Sequence, residues 1–166
     1  DESERFIYAV NDISLIAKFK QGARVHIAVD TLMHRNGVAV GEARAACEAA
    51  LAHGLQICGA FTHFRSAEEL SGDYFVQRQN FTAAKATVRE ICGEGDLVFH
   101  SHNSAALERA QKLDDEMVRV GIAQYGYAQF NSSLQLKPVL SLWAKRVSRR
   151  VLKSGQSVGY GGKFSA

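Results

Sequence analysis

Short apolar runs alternate along this chain with helix-length amphipathic stretches, and that alternation narrows the possible folds more than any other feature. The runs are "RFIYAV" from Arg5, "RVHIAVD" from Arg24, "LQICGAFTHF" from Leu55, "DLVFHSH" from Asp96 and "MVRVGIAQYGY" from Met117. Each is strand-like in length and rich in β-branched or aromatic residues. Between them lie helical signals. Asn11 or Asp12 is placed to cap a helix from Ile13 to Lys20, and Gly41-Glu42 opens an alanine-rich helix to His53, stopped by Gly54. A helix from about Tyr74 to Cys92 puts Phe81, Ala84, Val88 and Ile91 on one face, and Asn103-Ser104 caps another running through Lys112. Strand, helix, strand at this spacing predicts parallel βαβ units. Five such strands make either most of an open doubly wound sheet or the latter part of a (β/α)8 barrel.

Function belongs at one edge of either architecture. Arg35, His63, His102 and the Gly121-Ile122 pair fall at or just after strand C-terminal ends, where ligands bind in parallel α/β folds. Arg119 is the odd residue, a charge in the middle of an apolar strand-like run. It either belongs to an internal salt bridge or faces a ligand.

Composition excludes several classes. With 166 residues and 46% hydrophobic content the chain can bury one ordinary core, and its net charge of +3 is mild. The densest basic run, Arg149-Arg150 with Lys153, reads as a solvated strand face, which gives no support to nucleic-acid binding. No apolar stretch approaches the roughly 20 residues of a membrane span. Three widely spaced cysteines, Cys47, Cys58 and Cys92, fit a reduced cytoplasmic protein, each as a small hydrophobe among apolar neighbours. His100 and His102 alternate as strand residues facing one way, but no third ligand cluster accompanies them, so a metal site is not expected.

The texture changes after Tyr127. "FNSSLQLKP" is linker-like and holds the only proline, Pro138, and the residues from Val139 to Leu152 alternate in a strand-like way. A domain boundary near Asn131 follows, with residues 1–130 as one domain and 131–166 as the first strands of a β-rich domain. The start without methionine and the end just after a glycine-rich turn suggest a segment of a longer chain.

In this order, "VHIAVDTLMHRNGV", "GAFTHF", "HSHNSAAL", "VRVGIAQYGY" and "LKPVLSLWAKRVSRRVLKSGQSVGYGGKF" resemble the alanine racemases. These are pyridoxal-phosphate (PLP) enzymes with an N-terminal (β/α)8 barrel and a C-terminal β domain. The resemblance covers nearly the whole chain. It implies an isomerase that interconverts L- and D-alanine, supplying D-alanine for peptidoglycan, and works as a cytoplasmic homodimer. It makes Arg119 the arginine facing the cofactor's pyridine nitrogen. Arginine does not release its proton, so the ring stays a weak electron sink, which suits racemisation and argues against decarboxylases of the same barrel type. Tyr160 becomes the catalytic base delivered to the partner's site, where it also meets substrate. A free tyrosine has a pKa of about 10, and His63, between Tyr160 and Arg119, is the group expected to activate it. Arg35 becomes the contact to the cofactor's phenolic oxygen and the substrate carboxylate. Asn103, Ser104, Gly121 and Ile122, together with His63, complete the cofactor site.

The same resemblance marks departures. Ala28 stands where the family often has a lysine, frequently carbamylated, that braces the arginine at Arg35. Leu32 and His34 stand where glycine and asparagine are common. None of the eight lysines lies in the family's PLP-linking motif, which the resemblance places upstream of Asp1, so this segment alone is expected to bind PLP poorly and to be inactive. The alternatives are a racemase for serine or lysine, a non-catalytic PLP-binding barrel, and a plain α/β phosphate-binding domain.

Overall fold

The computed structural model describes residues 5–69, 71–110, 112–128 and 134–166. The main sheet is built from β1 (Tyr8–Val10), β2 (Arg24–Asp30), β3 (Val38–Ala39), β4 (Gln56–Phe61) and β5 (Val98–His100), all parallel. Their order across the sheet is β1-β2-β4-β5, and β3 adds to the C-terminal end of β2 through Val29 and Val38. α1 (Ala43–Ala52) connects β3 to β4, α2 (Asp73–Cys92) connects β4 to β5, and α3 (Ser104–Arg109) follows β5.

Alternation along β2 sorts the sheet into two faces. Val25, Ile27 and Val29 are buried in the main core with Ala46, Cys47 and Ala50 of α1 and Phe81, Ala84 and Val88 of α2. The helical face expected on α2 is thus the one that meets the sheet, with Ile91 partly buried beside it. His26 and Ala28 point to the other face. A smaller core of Phe64, Ala67, Tyr74, Ala105 and Ala106 closes the C-terminal edge.

Local signals account for most boundaries. Asp12 Oδ1 accepts from the Ser14 amide at 2.8 Å and starts a 3-10 turn, Ile13–Lys18, in place of the expected α-helix. Gly54, at φ 81°, ends the α1 segment. Asn103 caps α3 by accepting from the Ala106 amide at 3.0 Å, though α3 stops at Arg109 and not at Lys112. At Gly59 (φ 156°) β4 runs so close to β5 that a Cβ would lie 1.9 Å from the Val98 carbonyl oxygen. A register shift between Val25 and His26 accompanies this glycine.

Two expected strand regions are not strands. The segment that leads into and through Met117–Tyr127 makes only isolated backbone bonds, from the Glu116 amide to Phe99 O in β5 (3.2 Å) and from the Arg119 amide to His102 O just after it (2.9 Å). It then enters a 3-10 turn at Ile122–Tyr125, so no ladder develops. From Val139 to Leu152 no strand forms, and Leu142, Trp143, Val147 and Val151 are almost fully exposed. A strand is stable only when its backbone groups find a ladder. The only β structure after this stretch, among the described residues, is the antiparallel pair β6 (Ser157–Val158) and β7 (Phe164–Ser165). Asn131, the expected boundary, lies outside the described residues.

Candidate active site

Arg119 is held entirely by neutral acceptors. One Nη donates to His100 Nδ1 (2.5 Å) and to the His100 carbonyl (3.0 Å); the other donates to the Thr62 carbonyl (2.6 Å) and to His63 Nδ1 (3.2 Å). Its guanidinium also lies 5.3 Å from the Phe61 ring centroid. Among the described residues no carboxylate pairs with it, so the internal salt bridge that a lone buried arginine first suggests is not there. Burial lowers its pKa, with Asp115 opposing, but arginine stays charged. Even a half-buried cation without a counter-anion carries a desolvation cost. That cost points to an anion or lone pair supplied from outside.

The open side faces a cavity of about 290 Å³ lined by Ala28, Asp30, Met33, Arg35, Phe61, His63 and Arg119. Arg35 reaches it from the loop after β2. That loop is pinned by Asp30, whose Oδ1 accepts from the amides of Leu32 (3.0 Å) and His34 (3.1 Å). Leu32 (φ 155°) and His34 (φ 54°) both have positive φ. The loop therefore keeps a backbone suited to glycine although neither residue is one. Ala28 presents only a methyl group to this cavity, and no side chain of the described residues bonds Arg35.

His63 follows β4. Burial lowers its pKa first, and the charges of Arg119 and Arg35 lower it further. Because Nδ1 accepts from Arg119, a neutral His63 carries its proton on Nε2. Its backbone is fixed by Gln77 of α2, which is completely buried. Gln77 Nε2 donates to the His63 carbonyl and to Thr31 Oγ1, both at 3.0 Å, and Gln77 Oε1 accepts from the Arg65 amide at 3.0 Å. Thr31 and Thr62 hydroxyls meet at 2.7 Å. The sequence reading missed this cluster, because three polar residues separated by dozens of positions carry no local pattern.

Ser104 and the Gly121-Ile122 turn come together. Ser104 Oγ accepts from the amides of Gly121 (2.9 Å) and Ala123 (3.2 Å), which leaves its own hydrogen free to donate. With Asn103, His63 and Arg119 they line an open cleft of about 330 Å³. Asn103 itself is occupied, capping α3 and donating to the Phe64 carbonyl at 3.0 Å. Tyr160 is not brought to this site within the chain; it is fully exposed in the turn between β6 and β7.

His100 and His102 do not share a face, because β5 ends at His100 and alternation ends with it. His100 turns to Arg119. His102 turns to a buried group behind α2, 3.4 Å from Asp115, where Lys85 also binds Asp115 at 2.9 Å and Ser101 donates to it. Burial pushes the Asp115 pKa up, but hydrogen bonds from His102, Ser101 and Lys85 outweigh it and hold the carboxyl well below the usual range. Among the described residues, no three His, Cys, Asp or Glu side chains are grouped to hold a metal ion. No described helix is long and apolar enough to cross a membrane. Cys47 is fully buried, and burial with neighbouring Cys92 pushes its thiol up to about 12.

Comparison with known proteins now decides the family. Residues 4–129 match the family described as "Alanine racemase, N-terminal domain". The chain belongs to the alanine racemase family. An alanine racemase of Campylobacter concisus is 62% identical over the whole of this chain, and one of Campylobacter curvus 57% identical. The chain spans about half the length of these curated relatives, 50% in each case. Among solved structures, alanine racemase from E. faecalis superposes with a TM-score of 0.76 at 26% identity, covering 99% of this chain and 47% of that one. Alanine racemase from Corynebacterium glutamicum is 31% identical with a TM-score of 0.70, over 82% of this chain and 41% of that one. The parallel α/β arc described above is thus part of an alanine racemase (β/α)8 barrel.

Proposed function

We propose that this chain supplies the cofactor-facing wall of a PLP-dependent alanine racemase that interconverts L- and D-alanine for peptidoglycan synthesis. The observation that carries the reading is Arg119: a half-buried guanidinium with no carboxylate partner among the described residues, opening on a cavity it shares with Arg35 and His63. The donor set fits PLP. Arg119 offers N–H groups to a pyridine nitrogen and cannot hand over its proton. Arg35 offers a second cation to a phenolic oxygen and to a substrate carboxylate. The Ser104 hydroxyl, with Gly121 and Ile122 beside it, suits a phosphate, while Asn103 shapes that wall as a cap. When bound, PLP supplies an electron sink for the charge left as a Cα proton departs.

The chain's own residues do the rest. His63 is neutral and protonated at Nε2, so toward a tyrosine it is a hydrogen-bond donor that favours the phenolate, and not an acceptor of the phenol proton. Tyr160 then acts in the site of a second copy, as the base on one face of Cα. Its full exposure and the uncovered apolar residues before it suit a subunit contact. On this reading residues 131–166 begin a β-rich second domain, and the lysine that links PLP and serves the other face comes from the part of the relatives this chain does not span. The enzyme is then a cytoplasmic homodimer acting on a small amino acid.

Tyr160→Phe in the complete protein tests this. Solvent-deuterium exchange at Cα is followed separately from L- and from D-alanine. Exchange is expected to be lost selectively for one enantiomer; equal loss for both, or no loss, would overturn the two-base assignment.

A further inference from the structure

On the inner face of the sheet, behind Arg119, lies a line of two imidazoles. His100 Nδ1 is 2.5 Å from an Arg119 Nη, and His100 Nε2 is 2.9 Å from His26 Nδ1. Both rings are buried, and His100 is stacked on Phe61 at 4.9 Å with only 3° between the planes. One fact orients the whole line. A guanidinium has hydrogens and no acceptor, so His100 Nδ1 must present a lone pair. A neutral His100 then has its hydrogen on Nε2 and donates it to His26 Nδ1. His26 in turn must carry its own hydrogen on Nε2. Any other arrangement sets two N–H groups against each other at hydrogen-bond distance.

We propose that His26 is a positioning residue for Arg119, locking His100 in the tautomer whose Nδ1 accepts from the guanidinium. The arrangement has a cost on the far side of the ring. His26 Nε2 is buried and has no hydrogen-bond partner among the described residues. The ring thus spends its one satisfied nitrogen on His100 while its other N–H goes unmatched. Without His26, His100 Nε2–H would lose its acceptor and the alternative tautomer, which repels Arg119, would cost less. His26 touches neither His63 nor the cavity beside Arg35, so it acts only through His100. What Arg119 does to a cofactor rests on the racemase reading; the tautomer line does not.

The complete protein, labelled with ¹⁵N-histidine, is examined by long-range proton–nitrogen correlation at neutral pH, alongside His26→Asn and His26→Leu. Asparagine keeps an acceptor where Nδ1 was and leucine does not. The parent is expected to show Nε2–H and bare Nδ1 for both His26 and His100. In His26→Leu the His100 nitrogens should shift toward a mixture of tautomers, and turnover should fall by about tenfold or more. In His26→Asn both should return toward the parent. A parent spectrum with His26 protonated on Nδ1, or a His100 signature untouched in His26→Leu, overturns the proposal, and the parent spectrum decides it even if that variant does not fold. Absence of racemase activity from the parent would sink the functional reading and leave the nitrogen signatures to be judged alone.

Discussion

Leu32 and His34 show how a site can be legible in outline and altered in detail. The positions were readable as a loop bearing Arg35, and the structure keeps a glycine-type backbone at both despite their side chains. Backbone in such regions costs about 1–3 kcal/mol for a residue with a Cβ. Leu32→Gly is therefore expected to stabilise the protein by about 1 kcal/mol, read as a rise in the chemical-denaturation midpoint. A lower midpoint would mean that Leu32 packing outweighs the strain. Asp115 makes the opposite case. Its burial against Lys85, Ser101 and His102 had no sequence signature, since "KLDDE" looks like any solvated acidic run. Asp115→Asn leaves the largely buried Lys85 ammonium without its counter-charge, and a loss of about 3 kcal/mol is expected by denaturation. An unchanged midpoint would show that water reaches the lysine.

Elements whose period is set by burial were the readable ones. The apolar stripe of α2 and the apolar runs of β2, β4 and β5 appear in the sequence because each packs against the sheet or helix layer. Met117–Tyr127 looked the same on paper, but Arg119 is drawn to four neutral acceptors and the backbone breaks into a 3-10 turn, so the ladder never forms. Val139–Leu152 has the alternation of a strand and none of the partners. Two-residue β3 was invisible because nothing local distinguishes it from a loop. Gly59 was readable as a glycine but not as a close approach. Gly59→Ala pushes a methyl into the Val98 carbonyl, so β4 and β5 must separate. A loss of about 3 kcal/mol or more is expected, with the C-terminal edge around His100 losing hydrogen-exchange protection first.

At the scale of the whole molecule, the buried His26 and His100 and the half-buried His63 make stability depend on pH. Burial and then the Arg119 and His26 charges hold the folded His100 pKa at about 4, below the ordinary 6.5 of an imidazole, while Asp115 opposes; His26 and His63 are lowered in the same direction. Below pH 6.5 the unfolded chain takes up protons that the folded chain refuses, so the folded state loses stability as pH falls toward 4. His100→Phe should flatten that decline between those limits, measured by urea unfolding across the range; an equally steep decline would place its cause elsewhere. The same edge carries the functional reading, in which an unpaired arginine awaits a ring nitrogen. The most direct test is the absorption spectrum of PLP bound to the complete protein, compared between the parent and Arg119→Glu with D-alanine formation followed in parallel. The account predicts that a carboxylate there shifts the bound-cofactor spectrum and cuts racemisation by about 100-fold or more. A lowered melting temperature with an unchanged spectrum would contradict it.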